Sequence, residues 1–412
     1  MSGWQTYRIA DLGRVVTGKT PATSRPELLG SGTAFVTPTD ISEQSIYAEP
    51  QRRLSPMGDV EFRRVILPPD TICFTCIASI GKMCLTSEPT LTNQQINSLI
   101  VDHSRVVHRW AFYTLKAKRE EISAIASGSA TPIINKTSFS NVQISVPPLE
   151  TQRRIASILG AYDDLIEVNR RRIAVLEEMA RGLFEEWFVR FRFPGHEAVP
   201  ILDTADGPLP EGWRNDTLAN VAAINAASLR PANAPAEIGY IDISSVSPGK
   251  IDTINHMPFA EAPGRARRIV TDGSILWSNV RPNRRSFAVV LDPTPEIVAS
   301  TGFTVLDAHD TSFAYLYHWV TTDNFVGYLA GNAQGAAYPA VTAATFERAL
   351  IMLPPANLVE RFTDFAEPML RLADRLRKTN GLLAASRDLL LPRLISGQLS
   401  VAEAERELEE AA

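Results

Sequence analysis

Only three of the 412 residues are cysteine, too few for a disulfide framework and suited to a reducing compartment. No apolar run approaches the ~18 residues that span a bilayer. The opening MSGWQTYRIADLGRV lacks the basic-then-apolar order of a secretion signal. These features predict a cytoplasmic protein that needs no membrane. Hydrophobic residues at 45% and charged residues at 21% exclude disordered and fibrous classes.

Motifs of catalysis are also missing. The three Pro-Pro sites read LPPD, VPPL and LPPA, none of which is the polar-Pro-Pro-aromatic loop of adenine and cytosine methyltransferases. There is no P-loop and no His-Glu-x-x-His. Gly30-Ser31-Gly32 reads as a turn, because a cofactor loop needs a strand before it and a helix after. The six histidines are scattered, with His103 and His108 the closest pair. Cys73 and Cys76 have zinc-ligand spacing but sit in a predicted strand, where residues three apart point to opposite faces. With no second such pair, they read with Cys84 as core thiols rather than a metal site.

Net charge is −5, which by itself argues against a nucleic-acid partner. The charge is uneven. Residues 1–148 hold 15 basic against 12 acidic side chains, whereas residues 193–355 hold 10 against 16. The balance therefore does not decide the question.

What the chain does have is an internal repeat, the signature to seek first. RRVILPPDTICFTCIASIGK (63–82) aligns with RRIVTDGSILWSNVRPNRRS (267–286), and GSATPIINKTSFSNVQISVPP (128–148) with GAAYPAVTAATFERALIMLPP (335–355). Trp4 corresponds to Trp213. Short runs such as TICFTCIAS, INSLIVD, YIDIS and FAVVLD, bounded by Gly, Pro, Asp or Asn, make each copy β-rich. Each copy ends in Pro-Pro, where helical periodicity begins. Asn357 and Glu360 have the spacing of a capping box at the second helix start.

Apolar residues at Ile155, Ile158, Tyr162, Leu165, Ile173, Leu176, Ala180, Leu183 and Trp187, with Asn169 in the gap, alternate by threes and fours. Phe362, Phe365, Met369, Leu372, Leu376, Thr379, Leu383, Ser386 and Leu390 do the same. Both read as coiled-coil seams of ~40 residues, hence ~60 Å, with Asn169 and Thr379 as polar register positions. Ordinary amphipathic helices packed on their own domains share this spacing. The predicted fold is mixed α/β: two β-rich α/β domains in a pseudo-two-fold repeat, joined by two long helices in an antiparallel coiled coil. The boundaries are a first domain at 1–148, a helix at 149–192, a Pro/Gly-rich linker at 193–212, a second domain at 213–355, a helix at 356–397, and an acidic, frayed tail at 398–412.

Basic and amide side chains cluster at matching points of the two copies. In the first these are Lys19 and Thr20, Arg63 and Arg64, Ser79 and Lys82, the string TNQQIN with Gln94 and Gln95, and Thr131 and Lys136. In the second they are Arg267 and Arg268, the loop Asn279, Arg281, Asn283, Arg284 and Arg285, and Tyr338. Amides can read adenine edges and arginine can read guanine or hold phosphate. A solvated loop, or amides satisfying buried backbone, would leave the same pattern. Trp187, Phe188 and Phe191 would form a partner-docking surface or pack on their own domain; Leu390 and Leu394 are docking candidates on the second helix.

ISVPPLETQRRIASIL and LFEEWFVRF, within 144–191, together with RDLLLPRLISGQLSV (387–401), strongly resemble the helical regions of type I restriction–modification specificity subunits (HsdS). The repeated domains, each closing on Pro-Pro, resemble that family's two target-recognition domains, so the likeness covers essentially the whole chain. The second half departs from it: there is no TNQQIN equivalent, and PPANLVERF has lost the Gln-Arg-Arg. The resemblance implies a non-catalytic DNA-recognition subunit of a bacterial or archaeal phage-defence system. It implies one half-site of a split double-stranded DNA target per domain, with docking of two modification subunits and a motor–nuclease restriction subunit. S-adenosylmethionine, ATP and Mg²⁺ would act on those partners, with no cofactor in this chain. A specificity-like adaptor of another defence or methylation system is the alternative; a purely structural adaptor or an intrinsic DNA enzyme fits less well.

Overall fold

The computed structural model describes residues 3–127, 132–204 and 207–411. They form two compact units, one of residues 1–171 with 377–412 and one of residues 172–376. Each long helix therefore contributes one half to each unit. Among the described residues, no helix is long and apolar enough to cross a membrane.

The repeat is a repeat of topology. In the first unit a four-stranded antiparallel sheet runs in the order Gly13–Thr17, Ile96–Val101, Ile72–Thr75, Met83–Leu85. In the second the order is Ala222–Ile224, Phe303–Ala308, Ile275–Ser278, Phe287–Val289. Ile72–Thr75 and Ile275–Ser278 are buried at every residue. Strands covered on both faces read as continuous apolar runs, which is why these two segments drew the alignment. A second sheet in each unit combines an antiparallel and a parallel pairing, centred on Leu29–Val36 and on Glu237–Ile241. A two-stranded ribbon closes each unit, Gln5–Arg8 with Gln143–Val146 and Arg214–Thr217 with Leu350–Leu353.

One part of the alignment fails. Arg63 and Arg64 follow a helix, Pro56–Phe62, in a turn, whereas Arg267 and Arg268 lie inside a strand, Ala266–Ile269. The basic pairs match in sequence without sharing a backbone role. The thiols follow the strand argument: Cys73 and Cys84 face one buried cluster and Cys76 another.

The first long helix spans Leu149–Phe184 and the second Ala356–Ile395. The second starts before Asn357, so Asn357 and Glu360 lie within the helix rather than as an N-cap and its partner. The first ends in a π-helical turn, Glu185–Val189. The seam of the second helix differs from the expected one at alternate positions. Ala366, Ala373, Asn380 and Arg387 turn inward, and Phe365, Leu372, Thr379 and Ser386 turn outward. On the first helix Ile166 replaces Leu165 in the same way. A 3-4 spacing and a 4-3 spacing share every second residue, so the apolar pattern alone does not choose between them.

Polar pairing chooses. In the first unit Asn169 Nδ2 donates to Asn380 Oδ1 at 2.9 Å, so Asn169 meets Asn380 and not Thr379. Arg387 donates to Asp163, which also accepts from the hydroxyl of Tyr113. Arg387 is 5% exposed and Asp163 4%. The same half-helices pack Ile155, Leu159, Leu391 and Leu394 into the core of the first unit. In the second unit Ala180, Phe184, Trp187 and Phe188 join Phe362, Ala366 and Leu370 in a core that includes Tyr315 and Trp277. Helix pairing and packing on the domain thus occur together.

That packing corrects the expected docking surface. Phe188 and Trp187 are buried against Phe362, and Phe191 is half-buried against Trp213. Leu394 is buried in the first unit's core and Leu390 packs beside it. Trp187, Phe188 and Leu394 are thus spent inside their own units, while Phe191 and Leu390 are half-buried there. The expected linker also folds: Ile201–Thr204 pairs with Gly207–Pro210, and Phe193 and Leu209 enter the core of the second unit. The expected frayed tail forms a helix, Val401–Ala411, which buries Ala404 and pairs Glu405 with Arg154 at 2.5 Å.

The lost Gln-Arg-Arg has a structural consequence. Gln152 is buried, accepts from Val107 N–H at 2.9 Å, and donates to the carbonyls of Pro147 at 2.9 Å and Arg105 at 3.1 Å. The repeat places Val359 there in the second unit, which cannot make those bonds. A cavity of about 650 Å³ lies at that helix start, lined by Leu353, Pro355, Val359, Thr311 and Asp364 among others.

Substituting Arg387→Leu strands the Asp163 carboxylate in the first unit's interior and should destabilise the protein by ~3–5 kcal/mol. Adding Asp163→Asn should recover part of the loss in denaturant melts. A single-mutant cost below 1 kcal/mol would show that the pair does not hold the seam.

Candidate nucleic-acid interface

Each unit brings together loops that are distant in sequence. In the first, Lys19 N–H donates to Thr92 carbonyl at 2.8 Å, and the Thr20 hydroxyl donates to the Gln94 side chain. Gly18 makes the approach possible, since a Cβ there would meet the Asn93 carbonyl at 2.2 Å. The Gly-Lys-Thr string and TNQQIN, read separately in the sequence, form one surface. Within TNQQIN the amides divide by burial. Asn97 is buried, accepting from Thr17 Oγ1 at 2.7 Å and donating to Ile134 carbonyl at 3.3 Å. Asn93, also buried, donates to Gln95 Oε1 at 3.0 Å, so both asparagines and the Gln95 oxygen serve the fold. Gln94 is exposed.

A second loop pair in that unit joins the hairpin after Ile72–Thr75 to the segment before the helix Lys136–Ser140. Ile134 N–H donates to Cys76 carbonyl at 2.9 Å, and Ile77 bridges Ile133. Ser79 is exposed on the hairpin and Lys82 half-buried beside it. Lys136 is exposed at the first position of its helix, which Asn135 caps by accepting from Ser138 N–H at 2.8 Å. Thr131 lies outside the described residues. Arg63 and Arg64 are exposed on the helix end packed against the other sheet, with no hydrogen bond to either loop pair among the described residues.

The second unit builds the equivalent loop pair from different chemistry. Val280 bridges Ala340, and Val341 N–H donates to Asn279 carbonyl at 2.9 Å. The Arg281 guanidinium lies 4.7 Å from the Tyr338 ring centroid and donates to Ala337 carbonyl at 3.1 Å. Tyr338 is 70% exposed. Asn279 points inward and accepts from Thr304 Oγ1 at 2.7 Å. Arg285 donates to Asp323, while Asn283 and Arg284 are exposed with no side-chain partner among the described residues. Arg267 and Arg268 are held elsewhere. Arg267 lies 4.8 Å over the Phe259 ring, and Arg268 Nη1 donates to Ser228 at 3.4 Å with its Nε buried and unpaired among the described residues. Burial pushes the Arg268 guanidinium below its ordinary pKa.

Two contributors were not legible. Asp323 neutralises Arg285 from 38 residues away. Arg119 packs against Gly81 at the first unit's hairpin and is itself paired with Glu43 at 2.7 Å. No local pattern announces either contact. Lys19, Arg63, Arg64, Lys82 and Lys136 have no carboxylate partner among the described residues. Unpaired cations beside exposed amides are the combination that holds phosphate and reads base edges.

Residues 1–178 match the family described as type I restriction modification DNA specificity domain. The MjaIX specificity subunit of Methanocaldococcus jannaschii, a type I restriction enzyme subunit, is 25% identical over 97% of this chain and 94% of its own length. The HindI specificity subunit of Haemophilus influenzae is 32% identical over 38% of this chain and 35% of its own length. The crystal structure of a type I restriction–modification S subunit from M. genitalium shares the fold, with a TM-score of 0.58 at 15% identity over 95% of this chain and 96% of that one.

Replacing Lys136 by Ala should weaken duplex binding to a similar degree on all sequences and flatten the log–log salt dependence by about 1. Titrations of the full chain across a salt series check this; an unchanged slope would remove Lys136 from the phosphate contacts.

Proposed function

We propose that this chain, whose residues 1–178 belong to the type I restriction modification DNA specificity family, is the non-catalytic DNA-reading subunit of such a system and reads a split duplex target, one half-site per unit. The observation that carries the reading is the duplicated loop pair. The same strand order in both units ends in the same junction of hairpin and pre-helix segment, with Ile77–Ile133 in one and Val280–Ala340 in the other. Duplicated scaffolds with different tips suit two short sequences of different composition. Lys19, Gln94 and Lys136 serve the first half-site, and Asn283 and Arg284 the second.

Two modification subunits dock on the outward faces of the long helices, and a motor–nuclease subunit joins them. Exposed apolar side chains support this placement: Leu165, Val168, Leu382 and Leu389 on the half-helices of the first unit, and Val175, Met179, Phe365 and Leu372 on those of the second. Clustered exposed apolar residues on a helix are costly without a partner. S-adenosylmethionine, ATP and Mg²⁺ belong to the chemistry of those partners, in the cytoplasm of a bacterium or archaeon.

Co-expression of the full chain with its genomic neighbour encoding a methyltransferase, followed by mapping of modified adenines, tests the reading. A motif of two short blocks around a fixed spacer is the expected result. A stable complex that leaves DNA unmodified would transfer the role to an adaptor of another defence system.

A further inference from the structure

The turn at Arg281–Arg285 in the second unit is held in a conformation that its own residues do not favour. Arg281 has φ +52° and Arg285 φ +56°, left-handed values at two residues that are not glycine. Between them Pro282–Arg284 forms a single 3₁₀ turn. Such strain persists only where surrounding contacts over-determine the backbone, and it concentrates at functional sites. Here the contacts are identifiable. Arg281 N–H donates to Pro339 carbonyl at 2.7 Å, and its guanidinium is clamped between the Tyr338 ring and the Ala337 carbonyl. At the other end Arg285 is tied to Asp323. Two of the loop's three arginines are thus occupied in fixing its shape. The remaining planar groups, the Asn283 amide and the Arg284 guanidinium, are exposed and unpaired among the described residues.

We infer that this turn is the base-reading tip of the second unit, with Asn283 and Arg284 as specificity-determining residues and Arg281 and Tyr338 as positioning residues. Bidentate groups discriminate between bases only when their own backbone is fixed, because a mobile tip can swing to meet any base. The left-handed anchors remove that freedom before DNA arrives. Tyr338, although exposed, supplies its ring to Arg281 rather than its hydroxyl to DNA. The inference rests on the DNA-recognition reading above.

Mapping adenine methylation by the full chain co-expressed with its methyltransferase tests it. Arg284→Ala should make one position of one half-site degenerate, with discrimination there falling roughly 5- to 150-fold, while the other half-site stays intact. Tyr338→Leu, which frees the tip, should relax that same half-site and leave the other intact, and Tyr338→Phe, which keeps the ring, should restore the wild-type motif. Three results overturn the inference. The first is a wild-type motif unchanged by Arg284→Ala, and the second an equal loss on all sequences, which would make Arg284 a phosphate clamp. The third is a Tyr338→Phe defect as large as that of Tyr338→Leu. In each of these the wild-type chain still directs a split motif; absence of any motif from the wild type would instead bring down the DNA-recognition reading and this inference with it.

Discussion

Enclosing a carboxylate and a guanidinium between two helices is unfavourable unless each finds its partner, and that requirement fixes how the long helices meet in the first unit. Asp163 and Arg387 can satisfy each other in one register only, and Asn169 with Asn380 repeats the demand two turns away. A slide by one residue would bury Ser386 opposite Asp163 and leave both charges unpaired. Apolar burial supplies most of the driving force, but it is nearly indifferent between neighbouring registers. The polar pairs are not, which is the best-attested use of buried polar groups in helix pairs. Their register also decides which apolar side chains, Leu382 and Leu389 among them, are left facing outward.

The second unit meets the same problem with aromatic side chains. Phe184, Trp187, Phe188 and Phe362 interlock around Tyr315, with Phe188 and Phe362 ring centroids 5.2 Å apart. Buried His318 stacks on Phe184 and donates from Nδ1 to the Ala314 carbonyl at 2.7 Å, and burial lowers its pKa to about 4. It is therefore neutral at physiological pH, and the cluster behaves as an uncharged core. Where the first unit uses Gln152 to stitch the helix start to two loops, the second has Val359 and a cavity. The two copies keep one topology while solving its local demands with different residues.

Much of this was legible in the sequence because burial and punctuation leave local traces. The repeat was visible through its fully buried central strands, and the helix starts through their Pro-Pro pairs. The choice between Ser386 and Arg387 as seam positions was not legible, since it depends on Asp163, more than 200 residues away. The docking role expected for Trp187 and Phe188 failed for a related reason: a large aromatic at helical spacing signals burial, not what does the burying. At the candidate sites the composition of each loop was legible but its division of labour was not. Asn97 and Gln94 look alike in TNQQIN, and it is the Thr17 hydroxyl and the Ile134 carbonyl, 80 and 37 residues from Asn97, that make Asn97 structural while Gln94 stays exposed. Likewise nothing in RPNRR separates Arg281, which is held by the Tyr338 ring and the Ala337 carbonyl, from Arg284, which is exposed.

Two readers in one chain, each with its own short sequence, are the central proposal. The most direct test is selection from a pool of randomised duplexes by the full chain in complex with its methyltransferase, followed by sequencing of the bound fraction. Two blocks of fixed bases separated by a tolerant spacer of constant length are predicted. A single uninterrupted block, or binding that ignores sequence, would contradict it.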